Sequence, residues 1–518
     1  MISQCVSLEP TSAKYVVEKA EMLCELGRYK DAIEFLSQAK CDDMKDVLQE
    51  IKNIQAEIDS DSILPKGSKT RDTLEKLLKW GADNGADLSK VKLVYYTKDF
   101  RGIHAAKRIK AGDRIITIPE KLVVTFPKIL SECKLAKQVV DTGIALEYPF
   151  ATALACLVYE SRGNDKSFYK LYAESFPDDV STYPYWFKED ELVYLRGTCR
   201  FASVLGDKEQ SITEYKKIIE KFPEFSKISA DEYLKLTTLA SSRYFCVADV
   251  PEKLLSTPII DMFNYYTDKV GQTKWKYIPE EKAFTVMALK DIKRNEIVGL
   301  DYGEKASTTY LVYYGFIPEN NILENVLIRS YLNKGDPMLK EKQKILCFSN
   351  QELALALRSC YMDWTNKPIS NDKMMANLRF IVYKGDVKTL AGYVRNESSE
   401  SNRHRKVRVP SFSKENEIDA LALLKEIAEG NLKQFLGTLK DDEEKFKNDK
   451  KLTFNGKNAL TIKITERREF NKIVEFADKM VELLKKQYDV VKKEVESMPE
   501  SLWYREYAVS HVLPLLNK

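Results

Sequence analysis

Two short segments in the middle of the chain combine side chains that could bind a polar ligand and orient a reacting centre. One is Ile259-Ile260-Asp261-Met262-Phe263-Asn264-Tyr265, and the other is Gly299-Leu300-Asp301-Tyr302-Gly303, which is followed by Tyr313-Tyr314-Gly315-Phe316. A primary amide can pair with polar ligand groups, and a tyrosine hydroxyl can orient a reacting centre by hydrogen bonding. Taken alone, however, Tyr302 is more typical of a strand-end tyrosine in a hydrophobic core.

A third segment makes the pattern specific. Lys98-Asp99-Phe100-Arg101-Gly102-Ile103-His104-Ala105 precedes the strand-like run from Asp113 to Pro119. Together with the other segments, it resembles the SET-domain methyltransferases. The long gap before Asn264 is similar to the class of the Rubisco large-subunit and actin-histidine methyltransferases, in which a helical insert splits the SET domain and a helical lobe follows it. The resemblance covers roughly Thr73 to Lys485.

The resemblance implies an enzyme that transfers methyl groups from S-adenosylmethionine to a protein substrate. Tyr302 would be the catalytic residue, Asn264 would bind the amino-acid portion of the cofactor, and Arg243 would bind its carboxylate by charge-assisted hydrogen bonds. The other implied cofactor contacts are Asp99, Arg101 through backbone groups, Tyr265, and Phe316 against adenine.

The target nucleophile is predicted from residues near these positions. Phe245 stands two residues after Arg243, as in lysine-directed members of the family, whereas a histidine-directed site would favour a polar partner for the imidazole. Tyr313 and Tyr314 could add aromatic walls around an alkylammonium group. Burial of a lysine ammonium lowers its pKa, so no dedicated base is required. We therefore predict protein-lysine N-methylation of a non-histone protein, with histidine methylation of an actin-like protein as an alternative.

Two positions depart from the family pattern. Phe100 occupies the place of the first of two glycines in the cofactor loop, and Tyr265 replaces the histidine that usually follows Asn264. A side chain at the glycine position can restrict backbone approach to a ligand. These departures leave open a weakened enzyme, or an inactive SET-fold adaptor that binds a protein partner.

Composition excludes several function classes. The 518 residues carry 82 Lys plus Arg against 78 Asp plus Glu, so no global field would attract the chain to nucleic acid. Three scattered histidines argue against a histidine-based metal site, and nine cysteines without repeated CxxC spacing suit a reducing compartment. We expect a cytoplasmic protein, with a nuclear location as the alternative, and without a signal sequence or membrane span. The basic run from Arg403 to Arg408 is interpreted as a solvated loop.

The pattern along the chain predicts an α+β fold. Short strands are expected at 91–96, 114–118, 273–278, 283–289 and 296–302, and they form a SET-domain β-fold that spans 73–321 and is split by a helical insert at about 135–239. An all-α lobe is expected over 322–518 for substrate binding. Residues 1–60 are expected to form an N-terminal helical hairpin that is similar to one tetratricopeptide unit, either as a cap or as a partner-binding module.

Overall fold

The chain is described by a computed structural model and divides into two compact units. The first comprises Met1–Asp179 and Ser211–Gly303, and the second comprises Val180–Gln210 and Glu304–Lys518. The division differs from the predicted domain bounds, because part of the insert belongs to the second unit and the first unit ends at Gly303. The described residues are 16, 20, 23, 29–38, 48, 67–96, 100–247, 254–266, 271–319, 321, 324–329, 332–346, 361–365, 372–396, 405–407, 409–500, 502 and 504–517.

The first unit contains short strands arranged in small antiparallel sheets. β1 pairs with β2, β8 lies between β3 and β7, and β6 lies between β4 and β5. The strands are β1 (Val91–Tyr95), β2 (Arg101–Ala105), β3 (Arg114–Pro119), β4 (Val124–Thr125), β5 (Tyr244–Cys246), β6 (Leu254–Ser256), β7 (Thr273–Ile278) and β8 (Ala283–Ala288). The predictions for β1, β3, β7 and β8 agree with these bounds to within one residue.

The central position of β8 explains its composition. Its residues from Ala283 to Val286 are buried without interruption, whereas the edge strand β7 alternates between buried and exposed positions at Thr273 and Lys274. A strand covered on both faces reads as a continuous apolar run, and an edge strand can keep polar residues on its open face. A shift in the β3–β8 register between Arg114 and Ile116 adds a local irregularity.

Residues 296–302 do not form a continuous strand, although their alternation predicts one. The Val298 N–H donates to the Ile103 carbonyl at 2.7 Å, and the Leu300 N–H donates to the Asn264 carbonyl at 2.9 Å. The segment thus leaves the edge of β2 and continues beside Asn264, with a parallel bridge between Tyr265 and Leu300. Because the backbone hydrogen bonds of this segment pass from β2 to the Asn264 segment within a few residues, only isolated β-bridges form.

Helices cover much of the chain before Gly303, as the insert pattern predicts. α5 is buried along nearly its whole length, and α9 is capped at its N-terminus by Ser229, whose hydroxyl accepts a hydrogen bond from the Glu232 N–H. α8 begins in the second unit and ends in the first, and α7 belongs to the second unit. The helices are α1 (Tyr29–Gln38), α2 (Lys69–Asp83), α3 (Phe126–Glu132), α4 (Lys134–Asp141), α5 (Pro149–Arg162), α6 (Lys170–Glu174), α7 (Glu189–Leu192), α8 (Cys199–Lys221) and α9 (Ala230–Ser241).

The second unit is mainly helical, as predicted, and is organised around its longest helix. α16 carries buried residues at helical spacing, including Phe470, Ile473 and Ala477, which pack with Leu421 and Leu424 of α14. The remaining helices are α10 (Ser307–Tyr314), α11 (Leu339–Leu346), α12 (Asp372–Val382), α13 (Val387–Gly392), α14 (Lys414–Leu432), α15 (Leu439–Asn448), α16 (Phe454–Leu484), α17 (Tyr488–Ser497), α18 (Arg505–Tyr507) and α19 (Leu513–Leu516).

Two short antiparallel pairs lie within this helical unit. β9 (Asn325–Arg329) pairs with β10 (Tyr361–Thr365), and β11 (Val394–Asn396) pairs with β12 (Arg405–Val407). The interpretation of the basic run as a solvated loop is therefore wrong for β12, because its backbone is paired and Val407 packs on an apolar cluster. The periodicity of these short segments was too brief to indicate strands.

The predicted N-terminal hairpin lies only partly within the described residues. α1 coincides with its second predicted helix and buries Ala32 and Leu36, while most of the first predicted helix lies outside the described residues. Across the described part of the chain, no helix is long and apolar enough to cross a membrane.

Candidate active site

The segment that ends at Tyr302 passes directly beside the segment that carries Asn264. The Leu300 N–H donates to the Asn264 carbonyl at 2.9 Å, and the Tyr266 N–H donates to the Leu300 carbonyl at 3.0 Å. Gly299 permits this approach, because a Cβ at that position would lie 2.4 Å from Tyr266 Cβ and 2.8 Å from Asn264 O. The two segments predicted to carry the site are therefore neighbours in the fold.

Tyr302 is held in a defined orientation. Its hydroxyl donates a hydrogen bond of 2.7 Å to the Phe263 carbonyl. The Tyr265 ring packs edge-to-face against the Tyr302 ring, with 5.5 Å between centroids and 74° between planes. Tyrosine at position 265 is thus accommodated by an aromatic contact with Tyr302. The phenol oxygen of Tyr302 retains lone pairs that can accept from a ligand.

Arg243 is fixed by a buried carboxylate. Its Nη1 lies 3.0 Å from Asp261 Oδ2, and the Asp261 side chain is fully buried. The Tyr172 hydroxyl donates to the same oxygen at 2.9 Å, and the Arg243 guanidinium carbon lies 4.6 Å from the centre of the Phe176 ring. Burial, together with the charge of Asp261, raises the pKa of Tyr172 well above its usual value, so this hydroxyl remains a donor.

The backbone that presents Asp261 is strained. Ile259 is buried and has a φ of +77°, a conformation that β-branched residues rarely adopt. It immediately precedes the 3₁₀ turn Ile260–Met262. Such strain costs on the order of 1–3 kcal/mol and persists where surrounding structure fixes the chain, often at functional sites.

Arg101 joins the same cluster through both its backbone and its side chain. The Asn264 amide nitrogen donates to the Arg101 carbonyl at 2.6 Å. The Arg101 guanidinium interacts electrostatically with Arg243, Asp261 and Tyr302, and burial together with the charge of Arg243 lowers its pKa to about 10. The prediction for Arg101 was limited to backbone contacts, and the structure adds its side chain to the site.

The loop between β1 and β2, which is predicted to contact the cofactor, is partly described. Asp99 lies outside the described residues. Phe100 is 46% exposed and its ring lies 5.1 Å from that of Tyr96. Phe100 is not among the described non-glycine residues with positive φ, so its side chain causes no left-handed backbone strain. The closer contact lies at Gly102, where a Cβ would lie 2.4 Å from the Tyr96 hydroxyl.

Phe245 belongs to an aromatic cluster in the first unit. Its ring lies 5.3 Å from that of Trp275 and 5.1 Å from that of Phe284. Trp275 and Phe284 are themselves stacked, at 5.7 Å with 18° between planes. Phe245 is partly buried, so this cluster surrounds it with apolar surface close in sequence to Arg243.

Tyr313, Tyr314 and Phe316 belong to the second unit. Tyr314 and Phe316 lie near the buried Tyr310, with ring centroids 6.0 and 5.8 Å from it. Gly315 ends α10 with a φ of +76°, and a Cβ there would lie 2.6 Å from Thr182 Oγ1. This left-handed cap directs the chain from α10 to Phe316.

Several residues of the site were not predicted from the sequence. Asp261 stood inside a quoted motif, yet a lone aspartate gives no sign of its buried arginine partner. Tyr172 comes from the helical insert, and its contact with Asp261 joins residues far apart in the chain. Phe263 contributes only its carbonyl, which sequence cannot reveal.

Comparisons with known proteins agree with this architecture. Residues 101–303 match the family model of the SET domain, and residues 333–468 match the model described as Rubisco LSMT substrate-binding. Actin-histidine N-methyltransferases of Papio anubis and Homo sapiens are each 23% identical over 422 residues, covering 79% of this chain and 69% of theirs. The structure of Rubisco LSMT bound to AdoMet superposes with a TM-score of 0.62 at 17% identity, covering 83% of this chain and 97% of that one.

A second solved structure gives the same result. The SET domain of LSMT bound to lysine and AdoHcy matches with a TM-score of 0.64 at 18% identity, over 81% of this chain and 93% of that one. The chain is a protein methyltransferase with a SET domain at residues 101–303 and a Rubisco LSMT-type substrate-binding domain at residues 333–468. S-adenosylmethionine is its methyl donor.

The residues present fit this cofactor. S-adenosylmethionine supplies a methyl group activated by a sulfonium, and its methionine portion carries a carboxylate and an ammonium. Arg243 can bind a carboxylate, while the amide oxygen of Asn264 can accept from an ammonium. Because Arg243 and Asn264 are held by Asp261 and by the Arg101 carbonyl, these groups are oriented before a ligand binds.

Proposed function

We propose that this methyltransferase N-methylates a lysine side chain of a non-histone protein. The observation that supports this target is the environment of Phe245, which packs with Trp275 and Phe284 and offers apolar surface instead of a hydrogen-bonding partner. An aliphatic lysine stem suits such a surface, and desolvation of its ammonium favours the neutral, nucleophilic amine. An imidazole would need a polar group to fix its tautomer.

The residue roles in this proposal are supported by contacts within the first unit. Tyr302 orients the reacting amine and methyl through its hydroxyl, whose hydrogen is directed to Phe263. Asn264 and Arg243 bind the methionine portion of the cofactor, and Asp99 and the backbone of Arg101 contact its adenosine and methionine moieties. Backbone carbonyls near Phe263 can hold the methyl by weak CH···O contacts.

The family resemblance assigns further contacts to three aromatic residues. Phe316 stacks on adenine, and Tyr313 and Tyr314 border the alkylammonium group, where each cation–π contact contributes about 0.5–2 kcal/mol. Tyr265 contacts the cofactor through its backbone, because its ring is engaged with Tyr302. The protein substrate binds the helical lobe that matches the substrate-binding family.

A second candidate target is a histidine of an actin-like protein. It is favoured by the relatives named actin-histidine N-methyltransferase, which align over 79% of this chain. At 23% identity, the side chains around the target can differ between the relatives and this chain. Phe245 is the residue of this chain that argues against imidazole.

The position of the transferred methyl group decides between the lysine target and the histidine target. Purified enzyme is incubated with cell lysate and methyl-labelled S-adenosylmethionine, and fragment mass spectra assign the label to lysine Nζ or to imidazole. In a parallel reaction, the lysines of the lysate are first acetylated chemically, which converts each amine to a non-nucleophilic amide. Lysine transfer predicts that this treatment removes most labelling, and label that persists on imidazole would overturn the proposal.

Phe245→Asn provides a matched test within this chain. Asparagine replaces apolar surface with an amide that can pair with an imidazole nitrogen. We expect lysine transfer to fall and cofactor affinity to stay near the wild-type value. Cys246→Ser, a substitution at the exposed neighbouring residue of β5, is the control and should change neither quantity.

A further inference from the structure

The side chain of Arg101 has an unusual environment for a guanidinium. Its Nε is shielded from solvent and has no hydrogen-bond partner within the part of the chain that the structure describes. The guanidinium instead lies in the electrostatic field of Arg243, Asp261 and Tyr302. A buried guanidinium is costly unless its charge and its donors are matched.

Charge does not balance among the groups that interact with Arg101. Arg101 and Arg243 each carry a positive charge, while Asp261 is the carboxylate whose charge bears most strongly on Arg101. Asp261 Oδ2 accepts from Arg243 Nη1 and the Tyr172 hydroxyl, while Asp261 Oδ1 is shielded from solvent and has no hydrogen-bond partner among the described residues. Two cations with one shared anion leave a net positive charge in a buried place, which an anionic group can neutralise.

The cofactor offers a single group of that charge. Adenosine is neutral, the sulfonium and the α-ammonium are positive, and only the α-carboxylate is negative. Arg101 also lies beside Asn264 through the 2.6 Å hydrogen bond from the amide to its carbonyl, so its backbone adjoins the predicted site for the methionine portion. We propose that the Arg101 guanidinium, together with Arg243, binds the α-carboxylate of the cofactor.

Arg101 is thus a binding residue through its side chain and not only through its backbone. A carboxylate has enough lone pairs to accept from two guanidinium groups. Binding of the cofactor carboxylate would give Arg101 an anionic partner and would reduce the repulsion between Arg101 and Arg243. The competing role is purely structural, in which Arg101 only balances Asp261 and supports the fold.

Ligand truncation separates the two roles. Calorimetry measures binding of S-adenosylhomocysteine and of its decarboxylated analogue, S-adenosyl-3-thiopropylamine, to wild type and Arg101→Met. The proposal predicts that Arg101→Met weakens S-adenosylhomocysteine by about tenfold or more and leaves the decarboxylated analogue within about twofold. Arg101→Lys should recover part of the loss because it retains the charge.

The control and the contrary outcomes are defined by the same assay. Arg108→Met removes an exposed arginine that pairs with Asp291 and should bind both ligands as wild type does. Equal weakening of both ligands by Arg101→Met, or weakening of neither, would overturn the proposal. If Arg101→Met does not fold, Arg101→Gln is measured in the same way. Because the assay needs no methyl acceptor, its result is independent of whether lysine is the target.

Discussion

The side-chain amide of Asn264 donates a hydrogen bond of 2.6 Å to the backbone carbonyl of Arg101. This contact joins the Asn264 segment to the start of β2, which follows the predicted cofactor loop. It also fixes which way the amide faces, because the carbonyl can only accept. The cofactor site is thereby organised by contacts between parts of the chain that are far apart in sequence.

Replacing Asn264 tests this organisation. Asn264→Ala should weaken cofactor binding by about 1–3 kcal/mol, because an amide partner is lost and the Arg101 carbonyl is left unmatched. Calorimetric titration with S-adenosylhomocysteine measures the change. Asn84→Ala removes a similar amide-to-carbonyl bond, made to Trp80 at 2.8 Å, and should leave cofactor affinity unchanged. Unaltered affinity in Asn264→Ala would remove Asn264 from the site.

Gly299→Ala tests the close passage of the two site segments. The new Cβ would meet Tyr266 Cβ and the Asn264 carbonyl, and neither can move without shifting the backbone. We expect a loss of about 3 kcal/mol or more in the free energy of unfolding, together with loss of cofactor binding. Denaturant titration measures the former.

Gly206→Ala is the matched control for that substitution. Gly206 lies in α8 with open space around its Cβ direction, so alanine should stabilise the helix by about 0.5–1 kcal/mol. The two glycine substitutions should therefore change the free energy of unfolding in opposite directions. A Gly299→Ala protein as stable as wild type would contradict the close approach of the Gly299 and Asn264 segments.

A pH-dependent contribution to stability comes from Glu466 in the second unit. This residue is 2% exposed, accepts a hydrogen bond of 2.7 Å from the Cys199 N–H, and has its pKa raised by burial to about 7. Because the folded-state pKa lies above the unfolded-state value, its contribution is most favourable below about pH 4.5 and is lost as pH rises towards 7.

Glu466→Gln should remove that dependence. At pH 8 the variant should gain on the order of 3 kcal/mol in the free energy of unfolding over the charged wild type, and at pH 4.5 the two should be similar. Thermal or denaturant unfolding across this range measures the difference. Glu443→Gln, at an exposed ion pair with Arg468, should change stability little at either pH. Destabilisation of Glu466→Gln at pH 8 would count against the charge-burial explanation.

Strong local patterns made part of the fold predictable. The alternation in 273–278 and the apolar run from Ala283 specify β7 and β8, and the helical spacing after Phe454 specifies α16. β12 was missed because a run of basic residues resembles a solvated loop, and only its pairing with β11 makes it a strand. Residues 296–302 were predicted as a strand because alternation does not reveal a change of partner.

The site was predictable in its motifs but not in its supporting contacts. Tyr302, Asn264 and Arg243 were found through a resemblance, since a single tyrosine, asparagine or arginine has no distinguishing pattern of its own. The Asp261 carboxylate and the Tyr172 hydroxyl that hold Arg243 depend on tertiary packing. The positive φ of Ile259 is likewise imposed by its surroundings and opposes the preference of isoleucine.

The most direct test of the proposed catalytic site is the effect of Tyr302→Phe on methyl transfer and on cofactor binding. Removing the hydroxyl should lower the single-turnover rate by about 100-fold or more, because an interaction made mainly in the transition state is lost, and should leave the cofactor dissociation constant nearly unchanged. Tyr277→Phe, which removes an exposed hydroxyl on β7, serves as the control and should retain the wild-type rate. Methyl transfer by Tyr302→Phe at the wild-type rate would contradict the assignment of the catalytic site.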